Sequence, residues 1–443
     1  MKNYVADEED HSQSMSETIE EINADTKIDR ALFQGDMLLT REQAEEILQD
    51  VKGNEVKRKK RQAYRNHKYP KNLWSHVYYS FHSNATEGAK RVFKKAIEIW
   101  QKDTCIDFYK HDYGRDRIVV INGSGCYSSV GKVGGLQYLS LAPKCVTVGI
   151  AAHEIGHALG LFHTHARHDR DDFIILNEQN FEKGTFSKFT KQTVHDSCNY
   201  NLTYDYGSIM HYEPLSFSRN GKPIMVPRDM NYMQTLGTRV SLSFYDKLIT
   251  NLHYKCLDKC AGSSTICGNG GFPHPRNCSK CICPNGYGGD LCIERPSECG
   301  EVLTANASYQ TLEDIVGEKG TSSPKDEYKT CTYWIQARMG SKIEVTLDYF
   351  SDGVRDYGCN LAGVEIKTAS NKRRTGYRFC STPKTRKRLI STHNIVPIIT
   401  YSRTSPVKTV LRYRIAPDVA TPSSLIEKPE PHLFANLDMC ASR

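Results

Sequence analysis

One stretch decides the fold: His153-Glu154-Ile155-Gly156-His157-Ala158-Leu159-Gly160-Leu161-Phe162-His163. Residues four apart share one face of an α-helix, so the imidazoles of His153 and His157 can bind the same ion. Glu154 then points to the open side of that ion, where a water molecule would bind. Gly160 allows the helix to end in a left-handed turn, after which the chain can bring back His163 as a third ligand. Three imidazoles with an open position predict a catalytic zinc site rather than a closed structural one.

A methionine follows in the segment Tyr206-Gly207-Ser208-Ile209-Met210-His211-Tyr212. Met210 could pack beneath the three imidazoles as an apolar base. A methionine on its own is more often an ordinary core residue. This interpretation therefore depends on the histidine motif that precedes it.

The rest of the 443-residue chain divides by charge and by cysteine content. Residues 1–56 hold fifteen Asp/Glu and five Lys/Arg, a balance of −10, and residues 57–61 are a run of five Lys/Arg. None of the sixteen cysteines lies before Cys105. An acidic leader, a basic run and a cysteine-rich remainder predict a pro-segment, a cleavage site and a mature protein. A nuclear-localisation or nucleic-acid patch is the alternative interpretation of the basic run, but it suits an intracellular protein, and the cysteines argue against one.

Eight of the sixteen cysteines lie between Cys256 and Cys299. So short a segment cannot bury a core of its own and needs covalent bonds. Zinc knuckles are the alternative, although the spacing is not the paired C-x₂-C of a zinc ribbon. Five N-x-[ST] sequons favour a secreted glycoprotein: Asn84, Asn122, Asn201, Asn277 and Asn306. The first residues lack the apolar stretch of a signal peptide, which we interpret as a missing first segment; cytosolic expression is the alternative.

Hydrophobic periodicity predicts an α+β first half and an all-β region over 299–416. A short acidic helix is predicted at 38–51. One face of an amphipathic helix is formed by Ala89, Val92, Phe93, Ala96, Ile97 and Trp100. Strands are predicted at 77–81, 118–122, 135–141, 342–350 and 363–367. No stretch approaches 18 uninterrupted apolar residues, so we predict no membrane span.

The pattern H-E-x-x-H-x-x-G-x-x-H followed by a methionine turn is typical of metzincins. The residues at 163–171 and at 208–212 resemble the astacin family of secreted zinc endopeptidases, and the order of modules is similar to that of nematode astacins. The resemblance implies an α+β metzincin peptidase domain with an active-site helix at 62–258. It further implies a small disulfide-rich EGF-like module at 259–293 and an all-β CUB sandwich at 299–416. A pro-segment at 1–61 would precede these domains, and a Pro-rich tail at 417–443 would follow them.

The resemblance also implies roles for individual residues. One Zn²⁺ would be bound by His153, His157 and His163. Glu154 would be the general base. Tyr212 would ligate the resting metal and then stabilise the oxyanion, while Met210 would form the floor of the site. The strand at 135–141 would be the edge strand that pairs with extended substrate.

The leader contains Phe33-Gln34-Gly35-Asp36, which resembles the family motif F-x-G-D. The aspartate of that motif occupies the zinc in the zymogen, so we expect Asp36 to do the same. A proprotein convertase would cut after Arg61 and release Asp36 from the metal. The family usually has a glutamate after the third histidine, where it meets the buried N-terminus of the mature enzyme. Thr164 stands at that position, so a charge-paired N-terminus is not implied.

The module patterns imply seven disulfides: Cys105–Cys256, Cys126–Cys145, Cys260–Cys278, Cys267–Cys281, Cys283–Cys292, Cys299–Cys331 and Cys359–Cys380. Cys198 and Cys440 are left over, and their pairing would require the tail to fold back. Cys440 could instead be the first cysteine of a further module.

The predicted function is a secreted, zinc-dependent endopeptidase that is made as a zymogen and activated by removal of the pro-segment. By analogy, its substrates would be proteins of extracellular matrix, cuticle or egg envelope. Nucleic acid is not an expected partner, because the net charge of +8 accompanies disulfides and glycosylation sites. The alternative is an inactive adhesive protein, since EGF-like and CUB modules are commonly adhesive. The complete set of site residues argues against that alternative.

Overall fold

A computed structural model describes residues 17–52, 63–64, 69–192, 197–321, 323–352 and 354–417. Within them the α-helices are α1 (Ile19–Asp25), α2 (Arg41–Lys52), α3 (Glu87–Lys102), α4 (Val148–Ala158) and α5 (Phe244–His253). The first strands are β1 (Met37–Leu38), β2 (Ala63–Tyr64), β3 (Val77–Phe81), β4 (Phe108–Lys110), β5 (Arg117–Ile121), β6 (Cys126–Ser129), β7 (Leu136–Leu141), β8 (Ile174–Leu176), β9 (Ser197–Cys198), β10 (Met225–Pro227), β11 (Phe272–His274) and β12 (Asn277–Ile282). The later strands are β13 (Val302–Thr304), β14 (Gln310–Val316), β15 (Lys329–Gln336), β16 (Ile343–Phe350), β17 (Ala362–Ile366), β18 (Tyr377–Phe379), β19 (Arg388–Ile390), β20 (Ile395–Ser402) and β21 (Val407–Ile415). Arg61 and Cys440 lie outside the described residues.

The first half is built on a six-stranded sheet with the order β1-β6-β7-β5-β3-β4. Helix α3 begins at Thr86, whose side chain accepts a hydrogen bond from the backbone N–H of Ala89. The predicted amphipathic face is confirmed, because all six of its apolar residues are buried. On that face the indole of Trp100 donates to the carbonyl of Ala152 at 3.0 Å, which ties α3 to α4. This hydrogen bond fixes the buried helix α4 against α3.

The prediction that residues 135–141 form the edge strand is wrong. Strand β7 lies inside the sheet, parallel to β5 on one side and antiparallel to β6 on the other. The leader adds β1 outside β6, with Met37 opposite Ser128 in a parallel pair. Alternating burial along a strand indicates which face it buries and not which strands flank it. The sequence pattern therefore could not locate the edge.

Disulfide bonds join the described cysteines in seven pairs, and Cys198 is disulfide-bonded as well. Two pairs lie in the first half: Cys105–Cys256 and Cys126–Cys145. Three lie in the hairpin segment 260–293, around β11 and β12: Cys260–Cys278, Cys267–Cys281 and Cys283–Cys292. Two lie in the C-terminal strands: Cys299–Cys331 and Cys359–Cys380. In the hairpin segment these bonds replace the core that so short a chain cannot build.

The C-terminal strands form a β-sandwich over residues 302–415, which confirms the all-β prediction. One sheet has the order β13-β15-β20-β17-β18 and the other the order β14-β21-β16-β19. Both sheets contribute to one apolar core, in which Val364 and Ile398 of the first sheet belong to the same buried cluster as Val345 and Leu411 of the second. The sandwich thus has a core of its own.

Side chains also connect the three parts of the chain. Arg276 of the hairpin segment donates to the carbonyls of Gln101 and Thr104 at the C-terminal end of α3. Trp334 of the sandwich donates to the carbonyl of Gly286 at 2.7 Å. The contacts of Arg276 are favourable because the last carbonyls of a helix carry partial negative charge.

None of the helices in the described residues is long and apolar enough to cross a membrane.

Candidate metal centre

Helix α4 positions the first part of the site. It begins at Thr147, whose side chain accepts from the backbone N–H of Ile150, and every residue of the helix is buried. The helix ends before Gly160, which has a φ of +96°. That left-handed conformation is strained for residues with a Cβ atom, so glycine is required for the tight turn. The turn returns the chain to the helix, where His163 comes to lie beside His153 and His157.

Hydrogen bonds fix the orientation of the three imidazoles. The Nδ1 atom of His153 lies 2.7 Å from the carbonyl oxygen of Ile209, and that of His157 lies 2.8 Å from the carbonyl oxygen of Leu161. The Nδ1 atom of His163 lies 2.9 Å from Oε1 of Gln34. Because each of these oxygens only accepts, each Nδ1 carries the proton and each Nε2 carries a lone pair.

The three Nε2 atoms converge on the carboxylate of Asp36. Oδ2 of Asp36 lies 3.2 Å from His153 and 3.0 Å from His163, and Oδ1 lies 3.6 Å from His157. One ligand atom from each of the four residues falls within 4.8 Å of the others, and all four residues are buried. The leader therefore places Asp36 at the centre of the predicted histidine site.

The donor set fits zinc. Burial lowers the pKa of His153 to about 3 and that of His163 to about 4, so these imidazoles are neutral, as metal ligands must be. Lone pairs and a carboxylate that face one another at these distances repel unless a cation lies between them. Three imidazoles and one carboxylate are a ligand set that zinc would accept.

Glu154 lies beside this cluster and is fully buried. Neither of its carboxylate oxygens has a hydrogen-bond partner among the described residues. Burial raises the pKa of Glu154 well above its ordinary value, and the nearby Asp36 raises it further. A buried carboxyl without a hydrogen-bond partner destabilises the fold.

Met210 packs against helix α4 at Gly156. Its side chain is fully buried, and a Cβ built on Gly156 would lie only 2.7 Å from its sulfur. The carbonyl of Met210 accepts from the N–H of Thr164 at 2.9 Å. The chain around Met210 is therefore in direct contact with both the helix and the turn that brings in His163.

Tyr212 contacts the leader and a neighbouring histidine. Its hydroxyl donates to the carbonyl oxygen of Gln34 in the leader. Its ring stacks on His165, with ring centres 4.0 Å apart. Burial raises the pKa of Tyr212 well above its ordinary value, so the phenol keeps its proton and can donate.

Thr164 belongs to a buried hydrogen-bond chain. Its hydroxyl donates to Ser208 at 2.8 Å, and Ser208 donates to Asp246 at 2.6 Å. Burial raises the pKa of Asp246 to about 6. The position that usually carries a family glutamate is thus linked to the methionine turn through two hydroxyl groups.

Several leader residues at the site have no signal in the sequence. The amide of Asn23 donates to the carbonyls of Gly35 and Cys126, and its oxygen accepts from the N–H of Cys126. Gln34 contacts both His163 and Tyr212. Its neighbour Gly35 has a φ of +88° and forms a turn. The F-x-G-D motif was the one sequence feature that pointed to this turn.

Comparison with known proteins places this geometry in a family. The family model described as Astacin, a family of peptidases, matches residues 66–255. The chain is 41% identical over 416 residues to zinc metalloproteinase nas-31 of Caenorhabditis elegans, an alignment that covers 93% of this chain and 68% of that protein. It is 34% identical over 397 residues to zinc metalloproteinase nas-29 of the same organism, covering 84% of this chain and 74% of that protein. Among solved structures, high choriolytic enzyme 1, a hatching enzyme zinc-protease from Oryzias latipes, is 32% identical, covers 44% of this chain and 94% of its own, and has a TM-score of 0.39.

Proposed function

The chain belongs to the astacin family of zinc metalloendopeptidases, and we propose that it is secreted as a zymogen in which Asp36 occupies the zinc site. One observation carries the proposal: the carboxylate of Asp36 lies within 3.6 Å of the Nε2 atoms of all three site histidines. A water molecule and a substrate carbonyl need the position that this carboxylate takes.

We assign zinc binding to His153, His157 and His163. Zinc, when bound, polarises a peptide carbonyl and lowers the pKa of water. Glu154 takes the proton of the attacking water and then passes it to the leaving amine. Neither of its carboxylate oxygens has a hydrogen-bond partner among the described residues, so both can take part in these transfers.

We assign stabilisation of the oxyanion to the hydroxyl of Tyr212. A phenol that keeps its proton donates to the oxygen on which negative charge develops. In the zymogen the same proton goes to the carbonyl of Gln34. Release of the leader frees this donor for substrate, so the leader restrains a catalytic group in addition to the metal.

Replacement of Glu154 by alanine tests the assignment of the base. We expect the Glu154→Ala variant to bind zinc and to fold, while turnover of a protein substrate falls by roughly 10³-fold or more. Glu182→Ala, which removes an exposed glutamate of the same domain, is the matched control and should retain full activity. Near-native activity of Glu154→Ala would refute the role.

We further propose that a convertase cuts after Arg61 and so removes residues 1–61. Support comes from the basic run at 57–61, which follows the part of the leader that contacts the site. N-terminal sequencing of the secreted, active protein should give Gln62 as the first residue. A start far from Gln62 would contradict this cleavage site.

For the domains we propose a peptidase domain at 62–258, an EGF-like module at 259–293 and a CUB module at 299–416, with a tail at 417–443. The three disulfides of the hairpin segment and the two-sheet core of the sandwich support this division. Secretion agrees with the disulfides and with four exposed sequon residues: Asn84, Asn201, Asn277 and Asn306. Enzymatic removal of N-glycans should lower the mass of the secreted protein, and an unchanged mass would contradict glycosylation.

The substrates we propose are extracellular proteins such as those of matrix, cuticle or egg envelope. Cleavage profiling of the activated enzyme on a peptide library, with a zinc chelator as control, tests this proposal. Internal cleavage that the chelator abolishes would support it. Cleavage that persists in the chelator would contradict a zinc-dependent mechanism.

A further inference from the structure

The β-sandwich contacts the peptidase domain beside the segment that leads to Met210. In the loop between β17 and β18, the N–H of Thr375 donates to Oδ1 of Asp205 at 3.1 Å, and its hydroxyl donates to Oδ2 at 3.2 Å. Both residues are buried. A Cβ built on Gly207 would lie 2.4 Å from the Thr375 side chain. The loop therefore lies in direct contact with the start of the segment that contains Met210.

Asp205 passes this contact on to the methionine turn. Its Oδ1 also accepts from the N–H of Gly207, and its backbone carbonyl accepts from the N–H of Ser208. Ser208 in turn donates a hydrogen bond to Asp246 and accepts one from the N–H of Met210. One carboxylate thus connects the sandwich to a turn that leads directly to Met210 and Tyr212.

A second contact holds the neighbouring segment 235–239. The N–H of Arg378 in β18 donates to the hydroxyl of Thr235 at 3.0 Å. The amide of Asn360 donates to the carbonyl of Gly237 at 3.3 Å. Arg239 at the end of this segment donates to the carbonyl of His211 at 2.9 Å. The sandwich therefore reaches the methionine turn by two independent routes.

Charged side chains of the sandwich are also buried at this contact. The guanidinium of Arg378 lies 3.1 Å from the carboxylate of Glu365, and both side chains are buried at the junction. Arg374 beside them donates to the hydroxyl of Thr203 at 3.1 Å. The guanidinium of Arg378 also donates to the hydroxyl of Thr238 in the peptidase domain, so this buried ion pair is part of the contact between the two domains.

We propose that the β-sandwich is a working part of the catalytic unit, with Thr375 as a positioning residue that holds Met210 and Tyr212 through Asp205. The proposal rests on the roles assigned above to the histidines and Tyr212. Thr375 touches neither the metal ligands nor the substrate. Its effect is on the placement of the oxyanion donor, so it should change kcat rather than KM.

The experiment compares variants of the full-length chain after activation, with kcat and KM measured on a peptide substrate. Thr375→Val removes the hydroxyl and keeps the shape, and we expect kcat to fall by about 10-fold with KM nearly unchanged. Thr375→Ser retains the hydroxyl and should restore most of the kcat. Thr346→Val is the matched control, because Thr346 is a buried threonine of the same sandwich whose hydroxyl has no partner among the described residues. Its kcat should equal that of the native enzyme.

Arg374→Met, which loses the hydrogen bond to Thr203, is a second variant should Thr375→Val fail to fold, and its kcat should fall in the same way. Equal kcat values for Thr375→Val and Thr346→Val would overturn the proposal. So would a Thr375→Ser variant as slow as Thr375→Val, or an effect confined to KM. If the assigned chemistry itself is wrong, Glu154→Ala will remain active whatever the result at Thr375. This outcome distinguishes failure of the proposed function from failure of the role of Thr375.

Discussion

Glu20 in helix α1 offers the sharpest test of how the leader binds. Its side chain is buried, and the charge of Arg239 offsets only part of the cost of burying the carboxylate. Burial raises the pKa of Glu20 from 4.5 to about 7. Glu20→Gln replaces the carboxyl by an uncharged group of the same shape.

The sign and size of the effect follow from proton linkage. The bound leader holds the Glu20 proton more tightly than the free leader does, so binding of the leader weakens as pH rises from about 4.5 to about 7 and is then constant. With a pKa of about 7 in the bound leader and 4.5 in the free leader, binding of the leader weakens by about 2.5 kcal/mol, or roughly 70-fold, between pH 5 and pH 8. The Glu20→Gln variant should lack this part of the pH dependence and should hold its leader more firmly at pH 8.

The assay is hydrogen exchange of the amides in α1 and β1 in the uncleaved chain at pH 5 and pH 8, corrected for the intrinsic rates. From pH 5 to pH 8, the opening equilibrium constant of the native leader should increase by roughly 70-fold more than that of the Glu20→Gln leader. Glu21→Gln is the matched control, because Glu21 is exposed on the same helix and glutamine also serves a capping box. Identical pH dependence in the native and Glu20→Gln proteins would refute the raised pKa of Glu20.

Three further outcomes follow from the contacts of the leader and of the hairpin segment. Asp36→Asn in the uncleaved chain should give measurable peptidase activity, whereas we expect none from the native uncleaved chain. An inactive Asp36→Asn variant with zinc bound would argue against Asp36 as the blocking group. Asn23→Ala removes the hydrogen bonds to Gly35 and Cys126, so proteolysis of the leader should become about 10-fold faster, and an unchanged rate would contradict that anchor. Arg276→Ala should lower the melting temperature by a few degrees through loss of its contacts to the end of α3, as measured by calorimetry, while a shift no larger than that of the exposed Arg386→Ala would count against it.

Local spacing predicted the part of the site that depends on one helix. His153 and His157 are one turn apart, and the glycine at position 160 has the positive φ that its role requires. The apolar face of α3 was equally readable, because a period of 3.6 residues is a direct record of burial. These features need only short-range geometry.

Contacts between distant parts of the chain could not be predicted from a local sequence pattern. Asn23 meets Cys126 across 103 residues, and Thr375 meets Asp205 across 170. A single polar residue has no period, and hydrogen-bonding capacity alone does not select a partner. The wrong edge strand has the same cause, because strand order depends on pairings between segments that the pattern within one strand does not encode.

The leader contacts the site at three different groups, and this bears on what one substitution can release. Asp36 lies against the Nε2 atoms, Oε1 of Gln34 accepts from Nδ1 of His163, and the carbonyl of Gln34 accepts from the hydroxyl of Tyr212. Asp36→Asn frees only the first of these groups. The hydroxyl of Tyr212 still donates to Gln34 and is not available to substrate. Activity of that variant should therefore remain well below that of the cleaved enzyme. Equal activity of the two would mean that the contact between Gln34 and Tyr212 has no part in inhibition.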